Sequence, residues 1–190
     1  ATGLGLHLYY DVWHQGGDSF SVTIREPKNS SRTCNPGNNC TWSLGQATVQ
    51  VVVPAAGQTD PGNGDKEIIV QLYGSARTGT WRMTFSAQSV DSSDGDEIHA
   101  WQYYDDRADY GYPSYFSSGD NDYSVGSPGT AKSVITVGAY TSKAIWWDIN
   151  GDDWGYGYTE DDISPFSSLG PTRDGRLKPD VAAPGSAIAS

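Results

Sequence analysis

Apolar side chains recur at every second position in several short runs of this chain. Leu4, Leu6, Leu8 and Tyr10 form one such set, Phe20, Val22 and Ile24 another, and Trp81, Met83 and Phe85 a third. A period of two sets each group on one face of an extended strand. Ala47–Val53 and Ile68–Tyr73 are more continuously apolar and read as more deeply buried strands; Ile98–Tyr104 reads as a further strand. Turn-forming clusters separate them at Gln15–Asp18, Cys34–Cys40, Asp60–Asp65, Ala76–Gly79 and Asp91–Asp96. No strong helical period precedes residue 120. Six to eight short strands at this spacing predict a mainly β fold, an antiparallel sandwich or jelly roll.

Composition agrees. Seven Trp, twelve Tyr and 23 Gly, against one Met and four Phe, favour pleated strands and tight turns over helices. A net charge of -11 argues against a nucleic-acid partner, because phosphate neutralisation needs clustered Lys and Arg. No apolar run approaches the roughly 20 residues that span a bilayer, so no membrane partner is expected. The opening Ala1-Thr2-Gly3 carries no signal-peptide pattern and reads as the start of an excised segment.

The acidic residues are concentrated. Residues 91–122 carry nine against Arg107 alone, and residues 148–162 carry six with no base. Such runs are solvated surface or, on the sharper reading, oxygen ligands for a hard cation such as calcium. Asp148, Asn150 and Asp152 alternate like the first half of a calcium loop, but Gly151 falls at the fourth position and no glutamate closes the twelfth, so this is not an EF-hand. Cys34 and Cys40 flank a turn-rich run, and no His near them has zinc spacing; a disulfide is expected, and with it a secreted or extracellular setting. His7, His14 and His99 are widely separated and read as structural. The aromatic run Trp101–Tyr115 is either a face packed on a neighbouring domain or a stacking platform for a sugar or peptide. Thr78-Gly79-Thr80-Trp81-Arg82-Met83-Thr84 resembles the glycine-then-tryptophan strand of the proprotein-convertase P-domain and related jelly rolls.

From Tyr123 the sequence changes character. Ser124-Val-Gly-Ser-Pro-Gly-Thr-Ala-Lys-Ser-Val-Ile-Thr-Val-Gly-Ala139 reads as a loop followed by a buried strand. It closely resembles the segment of subtilisin-like serine peptidases in which a Val-Gly-x-Pro-Gly loop precedes an Ile-x-Val-Gly-Ala strand. Phe166–Ser190 resembles the stretch leading to the nucleophile in the same family, and follows in the family's order. The resemblance implies an inserted β-sandwich over residues 1–120 and part of an α/β catalytic domain over residues 121–190. It implies that Gly126 floors the S1 substrate pocket. It further implies that the carbonyls of Gly129, Ala131 and Val134 bind a cation, with Asp174 contributing, although Thr172 stands where relatives have another acid. On the residues alone, Asp174-Gly175 reads equally as a tight turn.

The family's Asp, His and Ser motifs do not occur in these 190 residues: there is no His-Gly-Thr, Gly-Thr-Ser or Ala-Ala-Gly-Asn. No catalytic residue is therefore assigned. Nucleophilic catalysis needs a base within hydrogen-bond reach of the serine, so the expectation is a protease fragment inactive by itself, whose sandwich modulates access of peptide or protein substrates. The alternative is a non-catalytic β-sandwich module that binds protein or glycan. Apolar strands such as Val134–Val137 would be exposed in such a slice. The tail is therefore expected to pack on the sandwich, to pair with another copy or to be completed by other chains, a homo-oligomer formed by strand exchange being the favoured of the three.

Overall fold

The alternating runs become strands in the computed structural model, which describes residues 6–91, 97–104 and 114–186. Leu4, residues 105–113 of the aromatic run and the closing residues 187–190 lie outside the described residues. The chain divides into two units, Ala1–Tyr115 and Phe116–Ser190.

The first unit holds eight strands: β1 (Leu6–His14), β2 (Ser19–Arg25), β3 (Ser31–Cys34), β4 (Asn39–Leu44), β5 (Ala47–Val52), β6 (Lys66–Gly74), β7 (Arg82–Ser89) and β8 (His99–Tyr104). They form a five-stranded sheet in the order β4-β5-β6-β1-β8 and a three-stranded sheet in the order β3-β2-β7. Every pairing in both sheets is antiparallel. The period-two pattern explains the core. Leu8, Tyr10 and Val12 of β1, Phe20, Val22 and Ile24 of β2, Val49 and Val51 of β5, and Ile68, Val70 and Leu72 of β6 are all buried in one cluster. Each such side chain contributes about 1.5–3 kcal/mol on leaving water, so this cluster dominates the unit's stability. Trp81, Met83 and Phe85 pack against it from the three-stranded sheet's edge. The Trp81 indole donates to the Arg77 carbonyl at 2.9 Å, and Gly79 enters the strand at φ +130°, where its missing Cβ matters.

Cys34 and Cys40 are bonded, and the bridge joins more than a loop. Cys34 ends β3, which pairs with β2; Cys40 belongs to β4, which pairs with β5. The disulfide therefore ties the three-stranded sheet to the five-stranded one. Neither β3 nor β4 is evident from periodicity, because Ser31, Arg32 and Thr33 are exposed and polar and the flanking turn residues dominate the segment.

The second unit contains four short strands: β9 (Val137–Tyr140), β10 (Ile145–Trp147), β11 (Asp153–Gly155) and β12 (Val181–Pro184). β9 and β12 pair in parallel, with Val181 opposite Val137 and Ala183 opposite Ala139. β10 and β11 form an antiparallel hairpin. No helix occurs among the described residues. The strand expected from Val134 begins only at Val137, because the preceding residues are held as turns. The Ala131 amide donates to the Pro128 carbonyl at 2.9 Å, and the Thr136 hydroxyl donates to Gly129 O at 2.5 Å.

Candidate functional site

A cavity of about 290 Å³ opens within the second unit, lined by Gly126, Gly129, Thr136, Phe166, Ser168 and Pro179 among others. The parallel pair and its flanking loops build it. Gly138 of β9 lies against Pro179, whose Cγ would stand 3.2 Å from a Cβ added there, so glycine sets how closely the two segments approach. The Ser167 hydroxyl accepts the Ala139 amide at 3.0 Å, and Ser164 N donates to Ala139 O at 3.0 Å. These bonds pin the Phe166–Ser168 segment beside β9. Gly126 is exposed, and a Cβ at Gly126 would meet nothing within 4 Å. A side chain there would project into open space without disturbing the fold.

The carbonyls to which the family resemblance points lie on the same loop as Gly126, and each already has a donor. Gly129 O accepts the Thr136 hydroxyl, Ala131 O accepts Val134 N at 3.4 Å, and Val134 O accepts the Lys178 ammonium at 2.5 Å. Lys178 is buried at 5% exposure, and its Nζ also meets Asp180 Oδ2 at 2.6 Å. The same Asp180 oxygen accepts the Thr136 amide at 2.7 Å. Together these hold the Asp180 carboxyl below its ordinary range, the Lys178 hydrogen bond being the largest cause.

Asp174 is engaged elsewhere. Its carboxylate receives Arg176 Nε at 2.7 Å and the Thr172 hydroxyl at 2.5 Å. Those hydrogen bonds, Arg176 first, lower its pKa to about 2. The tight-turn reading also holds there: Gly175 N donates to Thr172 O at 2.8 Å, with Gly175 at φ +76°. Arg176 reaches on to Thr130 O at 2.8 Å. Two protein cations thus bridge an acid to the carbonyl loop, Arg176 from Asp174 and Lys178 from Asp180. A calcium ion does not fit this arrangement. It takes six to eight oxygens at about 2.3–2.6 Å, and one bound to Val134 O would face the ammonium already there. Near a protein surface that repulsion is about 4 kcal/mol per unit of ionic charge at 4 Å. Sequence reasoning missed Arg176, Lys178 and Asp180. Their signal is charge at every second position, 174, 176, 178 and 180, on a non-helical segment.

The acidic run from Asp148 serves its own hairpin. Asp148 Oδ1 accepts the amides of Asn150 at 2.8 Å and Asp152 at 2.9 Å, closing the loop between β10 and β11 with Gly151 at φ +87°. These backbone donors, Asp152 first, lower the Asp148 pKa. Among the described residues no group of three or more His, Cys, Asp or Glu side chains gathers as a metal site.

In the first unit the outward face of the five-stranded sheet is aromatic and acidic. Cross-strand register sets Tyr103, Tyr9 and Gln71 in one row, Trp101, Asp11 and Ile69 in the next, and His99, Trp13 and Glu67 in a third. Tyr9 and Tyr103 meet edge-to-face at 6.0 Å, and His99 stacks on Trp101 at 5.8 Å. Partial burial, then the charges of Glu67 and Asp11, push the Tyr9 phenol up to about 12. Burial and Asp11 likewise raise Glu67.

Comparison with known proteins converges on one family. The sequence model of the subtilase family matches residues 29–190. Pyrolysin of Pyrococcus furiosus is 45% identical over 76 residues, which cover 35% of this chain and 5% of that protein. Serine protease AprX of Bacillus subtilis is 40% identical over 75 residues, covering 39% and 14%. Among solved structures, the Clostridium perfringens CspB protease has a TM-score of 0.65 at 18% identity, covering 99% of this chain and 38% of that one, a likeness of fold. The chain spans less than a third of the length of the curated relatives it matches. With the family's sequence model spanning most of its residues, the chain belongs to the subtilase family.

Proposed function

We propose that this chain is the S1-pocket segment of a secreted subtilisin-like serine endopeptidase, joined to a β-sandwich that controls access of peptide or protein substrates. The observation that carries the reading is the Gly126-lined cavity beside a parallel strand pair, in a chain of the subtilase family. Open space above Gly126 is what a pocket needs in order to admit a substrate side chain. The serines lining the cavity have no base assigned to them: the Ser167 hydroxyl is taken by backbone groups, and all three histidines belong to the sandwich unit. The Ser, His and Asp of catalysis come from other parts of the protein, and the 190-residue chain hydrolyses no peptide by itself. The inter-sheet disulfide supports an oxidising, exported setting.

Apolar side chains left exposed on the second unit, such as Ile135, Val137 and Val181, support packing against the remainder of the catalytic domain. Strand exchange between two copies is the other way to cover them, and light scattering separates the two, since a clean monomer excludes exchange. In a fluorogenic peptide assay the chain gives no turnover; hydrolysis blocked by a serine-directed inhibitor would contradict the proposal. In the intact protease Gly126→Val suppresses cleavage after bulky residues and spares cleavage after small ones. Equal losses for both would remove Gly126 from the pocket.

A second reading rests on the rows of Tyr, Trp, Asp and Glu on the sandwich's outward face, chemistry suited to a glycan or an aromatic-rich peptide. A glycan array probes it, and a uniformly blank array counts against sugar binding.

A further inference from the structure

We infer that the Lys178 ammonium replaces the metal ion that the family resemblance leads one to expect at the Gly129–Val134 loop, making this loop's fold independent of calcium. Its Nζ makes two contacts of the kind an ion would make, to one carbonyl of the loop (Val134 O, 2.5 Å) and to a carboxylate of the facing segment (Asp180 Oδ2, 2.6 Å). It does so while buried, where a positive charge is retained only if it is paired and hydrogen-bonded. Asp180 completes the link through its bonds to Thr136: its carboxylate accepts Thr136 N, and its own amide donates to Thr136 O at 2.8 Å. Arg176 repeats the arrangement four residues away along the loop, from Asp174 to Thr130 O. Four charged side chains at alternate positions therefore supply two tethered cations with their counter-ions. A tethered cation is present at a fixed, high effective concentration, whereas a bound ion must be drawn from solution and its site empties under chelation.

The test uses the 190-residue chain, isotopically labelled, with calcium chloride as the probe. In the wild type the amide resonances of Ala131, Val134, Thr136 and Asp180 stay in place from excess chelator to millimolar calcium. Lys178→Glu removes the ammonium and adds a carboxylate beside Asp180 and Val134 O. In that variant the same resonances move saturably, with calcium affinity at this loop raised more than about tenfold over the wild type. Saturable movement of these resonances in the wild type would overturn the inference, as would a Lys178→Glu variant that folds yet gains no calcium response. If Lys178→Glu does not fold, the wild-type titration alone decides. Lys178→Arg should preserve the calcium-independent spectrum, because it keeps a cation in place.

Discussion

The two units solve the problem of burial in opposite ways. In the sandwich, alternating Val, Ile and Leu side chains from two sheets reach zero or near-zero exposure and outnumber the buried polar groups there, His14, Asp18, Ser21, Glu26 and Lys66. In the second unit Val125 is the buried apolar residue of the described set, while Thr141, Ser164, Thr172, Lys178 and Ser186 are buried and Ile135, Leu177 and Trp147 stand mostly in water. Its segments are held by specific polar bonds, such as the Thr141–Ser164 hydroxyl pair at 3.1 Å and the Lys178–Asp180 bridge. A sandwich that buries its own core is self-sufficient. A unit tied by polar bonds, with apolar strands turned outward, has its geometry specified but gains little of the hydrophobic free energy that stabilises a domain.

Core truncation gives the largest contrast. Ile68→Ala removes a fully buried side chain and should cost about 2–5 kcal/mol in denaturant unfolding. Ile135→Ala, at 77% exposure, should change stability by less than about 0.5 kcal/mol. Equal costs would erase the distinction between the units. Next comes the inter-sheet bridge. Replacing Cys34 and Cys40 by Ser opens a ring with a sequence separation of 6, which chain entropy values at about 2 kcal/mol. The loss should appear as a lower unfolding midpoint for the sandwich alone.

The smallest effect is in alkali. A Tyr9 phenol raised from 10.0 to about 12 contributes stability that is complete below about pH 10 and is lost as pH rises through about 12. Tyr9→Phe should flatten that part of the stability profile, and spectrophotometric titration of wild type minus variant should show one late-ionising phenol. A phenol titrating near 10 would contradict the packing described for that face.

Much of the sandwich is legible in the sequence, because a two-residue period is a direct record of which side of a sheet is buried. Leu8, Tyr10, Val22 and Ile24 announce themselves this way. β3 and β4 do not, since edge strands with exposed Ser, Arg and Thr carry no such record, and the cysteines that join the sheets look from sequence like the ends of a simple turn. Gly126, one of the residues that line the cavity, is singled out in the sequence only through family resemblance, because a missing side chain leaves no chemical signature of its own. Lys178 was hidden for a different reason. A lysine beside an acid normally reads as solvated surface, and its burial follows from the approach of residues 134 and 178, forty-four positions apart.

Native-state hydrogen exchange on the 190-residue chain tests the contrast most directly. Amides in β1, β2, β5 and β6 should exchange only through global unfolding of the sandwich, while those of β9 and β12 exchange at distinctly lower free energy. Equal protection in both sets would contradict that contrast, and would show the second unit to be as self-sufficient as the sandwich.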